Sequence, residues 1–201
     1  MGRFSLAWKL ILYTLTVFAL SCELFAGGRF LLRGLVYFTI QSNILVLSCL
    51  FAHIAIPGHQ RAKSLLRGVS LLAIILTGIV YNFIIFSIFL DWGTAGYSAA
   101  RTITHVVVPI GFLLDWLIFD SHGDMKWKDI LAFAVYPFAY FVVSVTLSKF
   151  KGLSLYGFFD MSKGLGQSVQ PLILLVGIGI AICFSVVALD KLLPSGKGRK
   201  G

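Results

Sequence analysis

The chain has 201 residues, of which 58% are hydrophobic and only 12% charged, and its formal net charge is +9. A soluble domain carries roughly 25% charged residues. No interior of this size hides so much apolar surface, so a water-soluble globule is excluded and lipid is the natural solvent. The positive charge does not point to nucleic acid either, because Lys and Arg sit between apolar runs instead of forming a basic face interleaved with aromatics. They read as topogenic charge at an anionic membrane surface.

Backbone groups in hydrocarbon must be satisfied internally, so each long apolar run predicts a helix. Six follow in chain order, at 8–26, 34–56, 67–90, 98–119, 129–148 and 169–190. Each is close to the 20 or so residues needed to cross the bilayer core. The first, behind Arg3 and Lys9, has the outline of a signal peptide. Its apolar stretch of about 17 residues is longer than most signal cores, and Ala26-Gly27-Gly28 is a poor cleavage site, so a retained span is expected. The fifth carries Pro137 and several aromatics.

The connection 149–168 is apolar for a loop and contains Tyr156-Gly157-Phe158-Phe159-Asp160. It is expected to fold over the bundle as a lid or to rest in the interface. The fold class is therefore all-α: one six-helix transmembrane domain over 1–190, followed by a basic cytoplasmic tail at 191–201 that is Gly-rich and expected to be disordered.

Orientation follows from the basic residues. Arg3, Lys9, Arg61, Lys63, Arg67, Lys126, Lys128, Lys191, Lys197, Arg199 and Lys200 fall on one side. They outnumber Arg29, Arg33, Arg101, Lys149, Lys151 and Lys163 on the other. Both termini are thus expected in the cytoplasm, in a multi-pass protein of the cell membrane (the plasma or inner membrane if the source is bacterial).

Cys22, Cys49 and Cys183 lie in apolar runs without CxxC spacing and read as small buried hydrophobes. His53, His59, His105 and His122 are scattered, so no metal site is expected, and the reading calls for no cofactor. His53 reads as a packed or interfacial residue.

Ionisable and amide side chains inside a bilayer are costly, which makes them functional candidates. At about 1.5 Å per residue, Thr39 lies roughly 8 Å below the outer face, His105 roughly 10 Å and Asn82 about 12 Å. Asn43 is one turn below Thr39 on the same face. Glu23 and Arg101 sit near the outer ends of their spans. Six polar residues from four helices therefore share the outer half of the membrane, whereas the inner half looks poorer in polar groups.

Each of these residues alone also admits a structural role. A Thr bonds its own i−4 carbonyl, an Asn joins helices, and Arg or Glu snorkels. Together they offer a chemistry. An imidazole is a base near neutral pH, and a Thr hydroxyl becomes a nucleophile when a base takes its proton. Gln41, Asn43 or Asn82 would serve as oxyanion donors. No GxSxG elbow, HExxH or paired-carboxylate spacing is present. Asp115 lies too deep to orient His105 and is expected to pair with a cytoplasmic-side Arg or Lys. Asp160 reaches the cluster only if the outer loop folds inward.

The ordered set Tyr37-Phe38-Thr39-Ile40-Gln41-Ser42-Asn43, Tyr81-Asn82, His105-Val-Val-Val-Pro109, Asp115-Trp116, Tyr136-Pro137 and Tyr156-Gly157-Phe158-Phe159-Asp160 resembles a bacterial branch of six-span membrane proteins. That branch is distantly similar to the androgen-induced and androgen-dependent TFPI-regulating proteins of animals, and the resemblance covers nearly the whole chain. Those animal proteins are threonine hydrolases of fatty acid esters of hydroxy fatty acids. The resemblance implies Thr39 as nucleophile and His105 as base. The Gln-Ser-Asn that follows the Thr departs from the animal pattern.

Three functions compete. The first is a membrane-embedded esterase acting on a lipid or fatty-acyl ester. The second is a small transporter or channel using the same polar cluster. The third is a non-catalytic lipid-binding protein. The bilayer is the common partner in all three, and the sequence leaves the oligomeric state open.

Overall fold

The computed structural model describes residues 2–26, 29–85, 99–157, 160 and 165–194. Six helices are long and apolar enough to cross a membrane. They are α1 (Arg3–Leu24), α2 (Phe38–Ala55), α3 (Gln60–Phe83), α4 (Ala99–Phe119), α5 (Asp129–Lys151) and α6 (Leu165–Leu192). The chain is an α-helical multi-pass membrane protein. Large apolar side chains point out of the bundle, among them Ile11, Phe51, Ile118, Leu131, Phe138 and Ile173. Such an outward face is expected where hydrocarbon, not water, surrounds the protein.

Helix α3 is the hub and packs against α2, α4, α5 and α6. Val46, Leu50, Leu71, Ile74, Val108 and Phe112 form a fully buried apolar layer across the middle of the bundle. Close approach is set by small residues, as is common between membrane helices. A Cβ on Gly68 of α3 would lie 2.2 Å from the Phe133 ring of α5. One on Gly78 would lie 3.1 Å from Pro109 Cβ and 3.4 Å from the His105 carbonyl oxygen of α4.

Two local features depart from simple helices. Between α1 and α2 the chain makes a short antiparallel hairpin, Phe25–Ala26 with Arg29–Phe30, then a 3-10 turn over Leu32–Val36. Helix α2 therefore starts at Phe38 and not at 34. Thr39 sits in its first turn, shallower than counting from 34 implies. The second feature is a pair of π turns, Val80–Ile85 at the end of α3 and Ile103–Val107 inside α4. Pro109 contributes to the latter. It has no N–H to return to the carbonyl of residue 105, and the Val108 N–H reaches back five residues to Ile103.

The expected poverty of polar groups in the half holding the termini is not what the bundle shows. Helix α3 begins at Gln60 and not at 67, which puts Arg67 two turns inside it. There Arg67 is 1% exposed and Lys9 of α1 is 2% exposed. Lys9 Nζ lies 2.6 Å from Asp115 and 3.2 Å from Asp120, while Arg67 lies 2.8 Å from each of the same two carboxylates. The Arg67 guanidinium also stacks 4.4 Å from the centre of the Phe112 ring. Counting apolar runs places Lys9 and Arg67 at the flanks, but their long stems carry the charges to Asp115, where pairing offsets the desolvation. Asp115 has the structural role expected of it. His53 joins the edge of this cluster, with Nδ1 2.8 Å from the Cys49 carbonyl and Nε2 3.7 Å from Asp120.

The outer end of the third predicted span beyond 85 and the tail from 195 lie outside the described residues. Lys191 belongs to α6.

Candidate functional site

The end of the bundle opposite the termini holds a cavity of about 670 Å³, within the usual range for small-molecule sites. Thr39, His105, Tyr81, Tyr140 and Tyr156 line it, with Glu23, Arg33 and Arg101 also contributing to its wall. Cys22 lines the same cavity and is exposed, unlike the buried Cys49 and Cys183.

The Oγ1 of Thr39 and the Nε2 of His105 lie 3.1 Å apart. Three features of the chain produce that approach. Thr39 stands in the first turn of α2, one residue after its Phe38 start. His105 stands in the π turn of α4, whose extra residue per turn re-aims the side chain; such turns are frequent at functional sites. The Tyr81 ring, on the π turn of α3, packs over the imidazole with ring centres 3.8 Å apart and fixes its plane.

The tautomer follows from the neighbours. His105 Nδ1 lies 2.9 Å from the carbonyl oxygen of Arg101. A carbonyl can only accept, so Nδ1 carries the hydrogen and Nε2 presents a lone pair to Thr39. The same Nδ1 lies 2.9 Å from the Thr104 hydroxyl, which in turn donates to Glu23 Oε1 at 2.9 Å. A relay thus runs from Thr39 through His105 and Thr104 to a carboxylate on α1. Glu23, one of the six polar candidates read from sequence, reaches the imidazole through Thr104. Nothing in the sequence pattern singled out Thr104; its place directly before His105 was the available signal.

The amide candidates have other work. Asn43 Nδ2 donates to the carbonyls of Thr39 and Thr104, at 2.8 and 3.3 Å. Asn82 Nδ2 donates to the carbonyls of Gly78 and His105, at 2.7 and 3.0 Å. Both pin one helix to the next and set the backbone that carries Thr39 and His105. Gln41 faces α5: its Nε2 donates to the Leu35 carbonyl and its Oε1 accepts from Tyr136, both at 2.9 Å. None of the three lines the cavity. Arg101 lines it, whereas Asp160 is half-buried outside that lining.

The connection after α5 does fold inward at Tyr156. Its hydroxyl accepts from the Phe38 N–H at 3.1 Å and also hydrogen bonds with Thr39. The Tyr140 hydroxyl accepts from the same N–H at 3.1 Å and donates to the Val36 carbonyl at 2.9 Å. Tyr37 packs edge-on against Tyr156, with ring centres 6.1 Å apart.

A second cavity of about 620 Å³ lies at the other end of the bundle, lined by Lys9, Lys63, Arg67, His53 and Asp120 among others. The apolar layer through Val46, Leu50 and Ile74 contains no exposed residue. Among the described residues, no three His, Cys, Asp or Glu side chains are grouped to hold a metal ion. No family model, curated protein or solved structure matches the chain.

Proposed function

We propose that the protein is a membrane-embedded esterase that cleaves fatty-acyl esters with Thr39 as nucleophile and His105 as base. The observation that carries the reading is the 3.1 Å approach of a hydroxyl to an imidazole nitrogen whose lone pair is free to take its proton. The resemblance to threonine hydrolases of fatty acid esters of hydroxy fatty acids points to the same pair and to the same class of substrate.

In this reading the ester enters the outer cavity with its carbonyl carbon beside Thr39 Oγ1. The hydroxyl attacks as its proton passes to His105 Nε2. The tetrahedral adduct collapses, and His105 returns that proton to the departing alkoxide, leaving Thr39 acylated. A water, deprotonated by His105, attacks the acyl group, and the second adduct releases a fatty acid and regenerates the threonine. The imidazolium formed at each stage is held by the Arg101 carbonyl and, through Thr104, by the Glu23 carboxylate. With the termini cytoplasmic, as the basic residues favour, the cavity opens on the outer side of the cell membrane.

The test is turnover of a long-chain p-nitrophenyl ester and of a branched fatty-acyl ester by the purified protein in detergent. Thr39→Ala and His105→Ala are expected to lower kcat by about 10³-fold or more, and a fluorophosphonate probe is expected to label Thr39. Variants that hydrolyse as fast as wild type sink the reading.

The pair of cavities at opposite ends favours a second reading, a small transporter. Between them stands the closed apolar layer, so transport needs a rearrangement of that layer. Solute flux in proteoliposomes that survives Thr39→Ala identifies this alternative. A non-catalytic lipid-binding protein shows bound lipid with neither turnover nor flux.

A further inference from the structure

We propose that the phenol of Tyr156 is the oxyanion donor of the site, holding the carbonyl oxygen of the ester as it becomes negative. This rests on the esterase reading. Acyl transfer builds charge on that oxygen, and a donor set about 2.7–3.1 Å from its final position supplies a large share of the rate. The three side-chain amides nearest in sequence are committed to backbone carbonyls or to Tyr136 and lie outside the cavity lining. Tyr156 lines the cavity, and its hydroxyl touches both the Phe38 N–H and Thr39.

The protons around Tyr156 can be assigned. Thr39 directs its own proton to His105 Nε2, which carries none. Tyr140 sends its proton to the Val36 carbonyl. The Phe38 N–H donates to the Tyr156 oxygen. In the Tyr156–Thr39 pair the phenol is therefore the donor, and in the resting state its proton is shared between Thr39 Oγ1 and the Tyr140 oxygen, which has given its own proton to Val36. When Oγ1 bonds to the acyl carbon, the strongest acceptor nearby becomes the oxyanion one bond further on. The phenol needs only to turn its O–H toward it. No proton leaves Tyr156; a hydrogen bond is redirected. Donation from the first amide of α2 into the phenol oxygen polarises the O–H and strengthens what it gives. Burial moves the ionisation of Tyr156 above the ordinary tyrosine range, so the donor keeps its proton at neutral pH.

The connection after α5 thereby acquires a chemical role, because it delivers the group that senses an acyl carbonyl. A Tyr156 that merely plugged the cavity would need its ring and not its hydroxyl.

The experiment is steady-state hydrolysis of the p-nitrophenyl ester by full-length wild type, Thr39→Ala, His105→Ala and Tyr156→Phe, each with a thermal melt in the same detergent. Tyr156→Phe is expected to lower kcat by about 10²–10³-fold, the cost of one oxyanion donor, with KM changed less than about threefold and an unchanged melt. If Tyr156→Phe keeps kcat within about threefold of wild type, or raises it, while Thr39→Ala and His105→Ala are inactive, the inference fails and the esterase reading stands. If Thr39→Ala or His105→Ala is as active as wild type, or wild type has no turnover, both fail. Should the Phe variant melt early, p-aminophenylalanine at 156 decides, because it keeps a donor on the same ring. Activity of at least about a tenth of wild type supports the donor role; activity at the level of the Phe variant overturns it.

Discussion

The carbonyl oxygen of His105 accepts the side-chain amide of Asn82 at 3.0 Å, filling a position that Pro109 leaves without its helical donor. One missing N–H thus links α4 to α3 beside the His105 imidazole. Asn82→Ala leaves that buried carbonyl alone, at a cost of about 1–3 kcal/mol, and lets the His105 backbone shift. The expected result is a lower melting temperature and a loss of kcat of about tenfold, with KM little changed. The second substitution Pro109→Ala restores a backbone donor to residue 105, so the double variant is expected to recover part of both losses. A double variant worse than the sum of the two singles contradicts this account.

Thr104 stands between His105 and Glu23, and its hydroxyl is the only part of it the relay uses. Thr104→Val keeps the shape and removes the hydroxyl, while Thr104→Ser keeps the hydroxyl. In ester hydrolysis the Val variant is expected to lose about tenfold or more in kcat, and the Ser variant to stay near wild type. Glu23→Gln is expected to resemble the Val variant, because the imidazolium loses its distant negative charge. Equal activity of the Val and Ser variants removes the relay from the mechanism.

Gln41 separates architecture from chemistry. Its amide joins the Leu35 turn to Tyr136 on α5 and does not line the cavity. Gln41→Ala is expected to lower the melting temperature, by an amount corresponding to about 1–2 kcal/mol, while kcat per folded molecule stays within about twofold of wild type. A large fall in kcat with an unchanged melt places Gln41 in the chemistry after all.

The six helices were legible in the sequence because each needs about 20 apolar residues and lipid allows little else. Thr39 and His105 were legible as a pair because depth is read from residue counts. Which way an amide points at that depth is not. Asn43, Asn82 and Gln41 share the level of the site yet face carbonyls, since Pro109 and the π turns rearrange which acceptors are open. Tyr156 was legible only as part of an unusually apolar loop, because its place beside Thr39 depends on a fold-back that no periodicity records. Arg67 and Lys9 were misplaced for a related reason. A charge at the end of an apolar run looks topogenic until the partner across the bundle is known.

That partner is Asp115, fully buried between Lys9 and Arg67. Asp115→Ala leaves two buried cations to share the single carboxylate of Asp120, and breaking a buried pair in this way costs about 3–5 kcal/mol. A steep fall in the melting temperature and poor yield are expected, with turnover per folded molecule retained, since the cavity that holds Thr39 and His105 lies beyond the apolar layer. Replacing Lys9, Arg67, Asp115 and Asp120 together by apolar residues of similar volume is expected to be far milder than Asp115→Ala alone, because neither the cations nor the second carboxylate they share is then left unpaired. A quadruple variant as unstable as Asp115→Ala contradicts the pairing argument.

Asp120, just past the end of α4, gives the same cluster a signature in pH. Burial alone raises a carboxyl's ionisation, but the Arg67 guanidinium and the Lys9 ammonium outweigh it and hold Asp120 below the usual carboxylate range. A group depressed in the folded state stabilises the fold above its unfolded value of about 3.9, and that stabilisation is lost as pH falls through the lower folded value. Thermal melts in detergent are therefore expected to change little from pH 7 to about 5 and to fall steeply below about 4. Asp120→Asn is expected to melt lower at pH 7 and to show a shallower acid limb, because the variant has no proton to take up at that position. An acid limb of equal steepness in the two proteins means that Asp120 does not carry the effect.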